Sequence, residues 1–334
     1  MLASVSYATG AGAACQLRQM AELEVHMAGN APLIPASIND HLVQMLVDTG
    51  AMKSLIWRYS AKDLGLVVAE SNMKFYGAGG AEVAGVVLIK SLTLAGATVH
   101  NLRLFTAGHV KDTGFAGIVG EDLLSNWDLE FDLSAQKLRL FSPKECKGGE
   151  VVYWAPEYSM MKLISDPQDT GLLKATVQLN GRPVVALLDT GASSSVVSTQ
   201  AMSRSGIKPE TPMAASAASR GLAGKAINTQ VAIFPSLGIG QETVQNAKLR
   251  IADLFGANAE LLTGSFIPQQ AADNPDMIIG ADFFLSHRIY IARSQRKVYF
   301  TYNGGPIFQT SAPKAAATSD TPSADAGSDD SKNP

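Results

Sequence analysis

The stretch VVALLDTGASSSVV, residues 184–197, places Asp189 directly after an apolar run and before Thr-Gly-Ala. The stretch VQMLVDTGAMKSLI, residues 43–56, does the same with Asp48, 141 residues earlier. A carboxylate in apolar surroundings carries a desolvation penalty unless it is hydrogen-bonded, paired or protonated. Because the chain accepts this penalty twice, with the same four-residue signature, the two sites call for a common explanation.

The sequence around the two sites is duplicated. Turn signals at Asn39-Asp40 and Asn180-Gly181 lie between apolar runs, nine residues before each Asp, and predict tight β-hairpins. Farther along, SLTLAGATVHNLRL (91–104) matches SLGIGQETVQNAKL (236–249). The segment GIVGEDLL likewise matches MIIGADFF. A repeat of this length is too long for a solenoid, so the sequence predicts two similar domains.

The residue pattern predicts an all-β fold with short helices. Its segments are short, rich in Val, Ile, Leu, Phe and Thr, and interrupted by Gly, Asn and Pro. We expect helices at YSAKDLGL (59–66) and STQAMSRSGI (198–207). The predicted divisions are an N-terminal segment (1–21), a first lobe (22–143), a connector (144–170), a second lobe (171–303) and a disordered tail (304–334).

Composition excludes several classes of function. The chain of 334 residues is 46% apolar and 17% charged, which is typical of a globular protein. A net charge of −3 without any polybasic stretch argues against nucleic acid or an anionic membrane as partner. No apolar run reaches the roughly 18 residues of a membrane span. The five histidines are dispersed, and no phosphate-binding or dinucleotide motif occurs, so we expect no metal and no cofactor.

The two cysteines flank the first predicted lobe. A disulfide between Cys15 and Cys146 would close that lobe and would imply an oxidising compartment. The alternative is two unrelated thiols in a reducing cytosol. The start, MLASVSYATGAGAACQL, lacks a basic region, although its Ala-rich end fits the remainder of a secretion signal or a lipoprotein cleavage site. The alternative is a disordered N-terminus.

The two Asp-Thr-Gly-Ala sites, with the later triplets Ile118-Val119-Gly120 and Ile278-Ile279-Gly280, resemble the aspartic proteases. The resemblance spans both lobes and is to the retropepsin-like branch found in bacteria. One Asp-Thr-Gly occurs by chance in roughly one chain in twenty of this length, but a duplicated one within duplicated domains is far rarer. The alternative is that each Asp caps its own loop in an Asx turn.

The resemblance implies two acid-protease β-barrel lobes related by a pseudo-twofold axis. Asp48 and Asp189 would then be the catalytic residues, one from each lobe, and would share one proton. The residues that the resemblance implies as support for the two active-site loops are Thr49, Gly50, Ala51, Thr190, Gly191, Ala192, Gly120 and Gly280. Pepsin-like enzymes usually carry Ser or Thr in place of the two alanines. Without those hydroxyls the pKa of the dyad should rise, so we expect a mildly acidic optimum.

Two glycine-rich stretches resemble the flaps that close over substrate in this family. The first contains Tyr76, Gly77, Gly79 and Gly80, and its alternative is an ordinary glycine-rich hairpin. The second contains Gly221 and Gly224, and its alternative is a plain loop.

The sequence therefore predicts an aspartic endopeptidase that acts on a peptide or protein substrate. Both lobes in one chain favour a monomer with intramolecular lobe pairing, although pairing between chains remains an alternative. The stretches CKGGEVVYWA and GADFFLSHRIYIARSQRKVYF resemble an extracytoplasmic bacterial subgroup, which implies a periplasmic protein. The competing hypothesis is a non-catalytic peptide-binding or regulatory protein that retains the fold.

Overall fold

Strands dominate the structure and form two lobes joined by a shared sheet, which confirms the predicted all-β class. The computed structural model describes residues 17–77, 80–108, 114–142, 149–165, 170–206, 219–220, 226–227, 229–253 and 275–308. No helix among these residues is long and apolar enough to cross a membrane.

The first lobe contains eleven of the described strands and two short helices. The strands are β1 (Gln19–Glu24), β2 (His26–Ala28), β3 (Ala31–Ile38), β4 (His41–Val47), β5 (Leu55–Trp57), β6 (Val68–Gly77), β7 (Gly80–Leu94), β8 (Ala97–Ala107), β9 (Gly117–Val119), β10 (Asp128–Asp132) and β11 (Lys137–Phe141). The helices are α1 (Arg58–Asp63) and α2 (Glu121–Leu124). Eight strands form one sheet in the order β2-β3-β4-β9-β5-β8-β7-β6, and an additional pairing of β3 with β7 bends it back on itself.

The second lobe repeats this plan. Its described strands are β12 (Ser159–Lys162), β13 (Lys174–Leu179), β14 (Arg182–Leu188), β15 (Val196–Ser198), β16 (Ser219–Arg220), β17 (Ala226–Ile227), β18 (Gln230–Ile239), β19 (Glu242–Ala252), β20 (Met277–Ile279), β21 (His287–Ala292) and β22 (Lys297–Tyr302). The helices are α3 (Thr199–Ser205) and α4 (Ala281–Ser286). Six strands close a barrel in the order β13-β14-β20-β15-β19-β18.

Both predicted hairpins are confirmed. Asn39 and Asp40 join β3 to β4 with φ of 48° and 68°, and Asn180 and Gly181 join β13 to β14 with φ of 51° and 74°. Positive φ at both central residues is the geometry of the tight turn that matches strand twist, and Asn, Asp and Gly tolerate it best. Asn39 Oδ1 also accepts hydrogen bonds from the backbone N of the β7 residues Lys90 (2.7 Å) and Ser91 (3.1 Å).

A six-stranded sheet joins the two lobes, in the order β1-β11-β10-β21-β22-β12. Its central pair, β10 of the first lobe and β21 of the second, is antiparallel, with Leu129 opposite Ile291 and Phe131 opposite Ile289. All four side chains are fully buried. Phe131 also meets Phe284 of α4 edge to face, with ring centroids 5.2 Å apart. The lobes are therefore continuous through one hydrophobic core.

Part of the predicted connector packs against this shared sheet. Val151 and Val152 are buried in a cluster with Phe141, Tyr290 and Tyr299. The connector then continues into β12, which pairs with β22 at the edge of the sheet. At the opposite edge β1 begins inside the predicted N-terminal segment and pairs with β11.

Candidate active site

Each Asp-Thr-Gly loop begins at the end of a buried strand. Asp48 follows β4, whose last residues pair in parallel with β9, and Asp189 follows β14, which pairs in parallel with β20. The backbone N of Asp48 donates to Val119 O at 3.0 Å, and that of Asp189 donates to Ile279 O at 2.9 Å. The two apolar-apolar-Gly triplets therefore lie beside the strands that carry the carboxylates and fix the start of each loop.

Two buried threonines hydrogen-bond across the lobe boundary. Thr49 Oγ1 donates to Leu188 O at 2.9 Å and accepts from Thr190 N at 3.1 Å. Thr190 Oγ1 donates to Val47 O at 2.7 Å and accepts from Thr49 N at 3.1 Å. Both threonines are fully buried, so water does not compete for these four bonds. The reciprocal bonds fix the two loops in register.

The glycines of the two loops lie against the opposite carboxyl groups. A Cβ atom added to Gly50 would stand 2.3 Å from Asp189 Cγ, and one added to Gly191 would stand 2.3 Å from Asp48 Cγ. Each glycine also donates its backbone N–H to the carboxylate of its own loop, at 2.9 Å in both cases. Each carboxyl group therefore lies against the loop that carries the other, and only glycine fits at the point of contact.

The environment of Asp48 and Asp189 favours one shared proton. Burial, then repulsion from Asp189, raises the pKa of Asp48 well above its usual range. Burial also raises the pKa of Asp189, against hydrogen bonds from Asp48 and from the backbone N of Ala192 and Gly191 that lower it. Both residues keep partial exposure to solvent, so a water or a substrate can reach them. Two such close carboxyl groups titrate as a unit.

Two glycines allow the loops to pack tightly against the chain behind them. A Cβ at Gly120 would stand 2.7 Å from Ala51 O, and one at Gly280 would stand 2.8 Å from Ala192 O. In each lobe the next residue donates its backbone N to the same alanine carbonyl at 2.8 Å. Ala51 and Ala192 therefore contribute through their backbone, and neither supplies a side-chain hydroxyl.

Sequence reasoning missed a serine and an aspartate that brace the first loop. Ser54 donates to Asp122 Oδ1 from its backbone N at 2.8 Å and from its Oγ at 2.7 Å. The same Oγ accepts from Gly120 N at 3.0 Å. Ser54 thus links its own loop to the triplet and to α2.

The second lobe repeats this brace with Ser195 and Asp282. Ser195 Oγ donates to Asp282 Oδ1 at 2.6 Å and accepts from Gly280 N at 2.9 Å. A signal was available in the sequence, because each serine stands six residues after the Asp of its Asp-Thr-Gly loop and each bracing Asp stands two after the triplet glycine.

The flap prediction is only partly inside the described residues. Tyr76 and Gly77 end β6, where Tyr76 pairs with Ala81 and Gly77 pairs with Gly80 at the start of β7. Gly79 lies outside the described residues, and so do Gly221 and Gly224 of the second glycine-rich stretch, and Cys15 and Cys146. The closing role of either stretch and the disulfide therefore stay predictions.

The described ranges contain no group of three or more His, Cys, Asp or Glu side chains that could hold a metal ion.

Comparison with known proteins places both loops inside a recognised family pattern. A family model described as aspartyl protease matches residues 34–123 and 175–283, one segment in each lobe and together more than half of the chain. The chain is similar in structure to the aspartic proteinase from Irpex lacteus, with a TM-score of 0.47 and 11% identity. That superposition covers 88% of this chain and 99% of the other. No curated protein matches the chain.

Proposed function

The chain belongs to the aspartyl protease family, and we propose that it is an endopeptidase in which Asp48 and Asp189 share one proton and activate a water. The observation that carries this proposal is the contact of each carboxyl group with the glycine of the opposite loop, 2.3 Å from where a Cβ would stand. Burial raises the pKa of both carboxyl groups, and two neighbouring buried carboxylates cannot both ionise cheaply, so the singly protonated state of the pair is favoured.

Hydrolysis needs one base and one acid, and the singly protonated dyad supplies both. The ionised carboxylate accepts a proton from the water as its oxygen attacks the scissile carbonyl carbon, while the protonated carboxyl donates to the carbonyl oxygen. The attack gives a tetrahedral gem-diol. Its C–N bond then breaks as the carboxyl group that took the proton of the water donates it to the leaving nitrogen, while the diol returns a proton to the other carboxylate. The products are an acid and an amine, and the dyad again holds one proton.

The surrounding hydrogen bonds hold the two loops and their carboxyl groups in place before a substrate binds. The four threonine bonds fix the loops relative to each other, and backbone N–H groups point at the carboxylates. Donors that are already in place stabilise developing charge without the reorganisation that water would require. A peptide lying between the lobes would present its carbonyl to both carboxyl groups.

The test is cleavage of an unstructured polypeptide between pH 3 and pH 7, with and without pepstatin. We expect cleavage by the native chain, inhibition by pepstatin, and loss of activity in both Asp48→Asn and Asp189→Asn. Asp63→Asn, a change at an exposed carboxylate of α1, is the matched control and should remain active. Loss in both dyad variants means one shared centre, and full activity in either one contradicts it. Peptide binding without cleavage at any pH would support the non-catalytic hypothesis instead.

We also propose that one chain forms a complete enzyme and that it acts outside the cytoplasm. The cross-lobe threonine bonds and the β10–β21 pairing within one chain support the first statement. Light scattering should give the mass of a single chain, and a dimer would point to exchanged lobes.

The proposed location outside the cytoplasm is tested through the two cysteines. Thiol labelling of the protein purified without reductant should leave Cys15 and Cys146 unmodified if they are paired.

A further inference from the structure

The two repeats differ at one contact between the lobes, directly behind the active-site loops. Glu121 follows Gly120 in the first lobe, and Ala281 follows Gly280 in the second. Across the lobe boundary, Glu121 meets Arg293, whose counterpart in the first repeat is Leu133. Helix α4, which carries Ala281, packs against the turn that begins at Leu133. The pseudo-twofold axis therefore relates the Glu121–Arg293 pair on one side to two apolar residues, Ala281 and Leu133, on the other.

Arg293 of the second lobe binds the first lobe at several points. Its Nη2 lies 3.0 Å from Glu121 Oε1 and 2.7 Å from Oε2, and its Nε donates to Trp127 O at 3.1 Å. Its backbone N donates to Asp128 Oδ1 at 2.8 Å. Within its own lobe, Nη1 donates to Gly171 O at 3.4 Å. A planar guanidinium with several fixed donors is suited to such a junction, and lysine could not replace it.

Glu121 is in turn attached to the loop that carries Asp48. Its backbone N donates to Ala51 O at 2.8 Å, three residues after Asp48. The next residue, Asp122, holds Ser54 at the far end of the same loop. Helix α2 therefore contacts the loop at two points, at Ala51 through Glu121 and at Ser54 through Asp122.

We propose that Glu121 and Arg293 are positioning residues, a one-sided polar clamp through which the second lobe places the Asp48 loop against the Asp189 loop. This inference rests on the proposed function, because its role is to tune the contact between the two carboxyl groups. Neither residue touches the reacting atoms. The second lobe has no equivalent, since Ala281 and Leu133 carry no charge.

The charge on the clamp depends on pH near neutrality. Burial raises the pKa of Glu121 to about 7, against the attraction of Arg293, which lowers it, and the repulsion of Asp122, which adds to the rise. The other carboxylate beside Arg293 is Asp128, whose pKa burial also raises. At acidic pH Glu121 is thus a neutral acceptor for Arg293, and above pH 7 it is a carboxylate.

The chain itself supplies the replacement that tests the clamp. The double variant Glu121→Ala/Arg293→Leu places at these two positions the residues that the other repeat carries. Replacing a buried ion pair by apolar residues is often neutral or stabilising, whereas removing one partner leaves an unpaired charge. If this variant does not fold, as judged by thermal unfolding, Glu121→Gln/Arg293→Met keeps more of the volume and takes its place. The control is Glu22→Gln, at a carboxylate that pairs with Lys137 and Arg139 on the edge of the shared sheet.

The primary readout does not need turnover. In protein labelled with carboxyl-13C aspartate, with signals assigned from Asp48→Asn and Asp189→Asn, we expect the double variant to move the dyad titration by at least about half a pKa unit. The control should leave it unchanged. In cleavage assays we expect kcat to fall about tenfold with KM within about threefold, because loop placement affects the transition state more than substrate binding.

The outcomes separate the two proposals. A dyad titration that is the same in the native chain and the folded double variant overturns the clamp, even when the native chain cleaves peptides. A shifted titration supports the clamp even when no substrate has been found. Failure of the native chain to cleave any polypeptide or to bind pepstatin counts against the proposed function and not against the clamp.

Discussion

The two active-site loops share one scaffold but not one environment. Both begin after a buried strand and both carry the same serine–aspartate brace. The second loop is held directly by the other lobe, because Asn30 Nδ2 donates to Ser193 O at 2.7 Å. The residue matching Asn30 in the second repeat is Gly171, which has no side chain to offer. The two repeats therefore share the backbone structure of the site but differ in the polar side chains that surround it.

The backbone bonds to the two carboxyl groups are alike, since Asp48 Oδ1 accepts from Gly50 N at 2.9 Å. Asp189 Oδ1 accepts from Gly191 N at 2.9 Å and from Ala192 N at 3.0 Å, and these bonds favour its ionised form. Burial raises the pKa of both carboxyl groups, and repulsion from Asp189 adds to the rise for Asp48. The two carboxyl groups titrate as a pair, so the shared proton is not assigned to either Asp alone.

The largest effect should come from the glycines, where the two loops are most alike. Gly50→Ala and Gly191→Ala each place a methyl group 2.3 Å from the opposite carboxyl carbon, so both should abolish cleavage and lower the melting temperature. Gly238→Ala, whose added Cβ would meet Gln178 at 3.2 Å from its Cβ, is the control and should have a mild effect. A fully active Gly191→Ala protein would contradict the inferred close packing of the two loops against the opposite carboxyl groups.

The threonines test whether the cross-lobe bonds are equivalent. Thr49→Val and Thr190→Val each leave a buried carbonyl and a buried N–H without a partner, at about 1–3 kcal/mol for each group. We expect similar losses of unfolding free energy in the two variants, measured by urea denaturation. Thr→Ser at either position keeps the hydroxyl and should recover most of the loss. A large difference between the two valine variants would show that the hydrogen bonds of the two threonines contribute unequally to the free energy of unfolding.

Glu121 should give the free energy of unfolding a pH dependence of definite sign. Because its pKa rises from 4.5 to about 7 on folding, the folded chain binds more protons than the unfolded chain between those values. The stabilising contribution of Glu121 to the free energy of unfolding is therefore fully present below pH 4.5. It is lost as the pH rises to about 7, by up to about 3 kcal/mol.

The measurement is urea denaturation at pH 4.5 and pH 8 for the native chain and Glu121→Gln. Asp48, Asp189 and Asp128 also have raised pKa values and change the stability in the same direction, so the comparison with the variant isolates the part due to Glu121. The native chain should lose more stability than the variant. Equal losses would contradict the assigned titration.

The smallest expected effect concerns Ala51 and Ala192. Ala51→Ser and Ala192→Ser would each add a hydroxyl beside a carboxylate, which favours the ionised form and lowers the pKa of the dyad. We expect the acidic limb of the pH–rate profile to move to lower pH by some tenths of a unit. A native profile that already peaks near pH 2 would contradict the mildly acidic optimum expected for a site without these hydroxyls.

Features set by neighbouring residues were predictable from the sequence. The hairpins at Asn39-Asp40 and Asn180-Gly181 follow from backbone conformations that few residues tolerate. The pairing of Asp48 with Asp189 was predictable for a different reason, because a duplicated motif implies a symmetric meeting point. The braces of Ser54 and Ser195 were also within reach, since they repeat at fixed offsets.

Only the tertiary structure decided how the lobes hold each other. Glu121 and Arg293 are 172 residues apart, and Asn30 and Ser193 are 163 apart, so no local pattern links them. They also break the duplication, and a comparison of the two halves cannot predict a contact that one half lacks. The sequence determined two lobes, two turns and two carboxylates because these depend on local conformation and repetition. The shared sheet and the one-sided clamp depend on which buried groups meet after folding, and burial is what gives those contacts their strength.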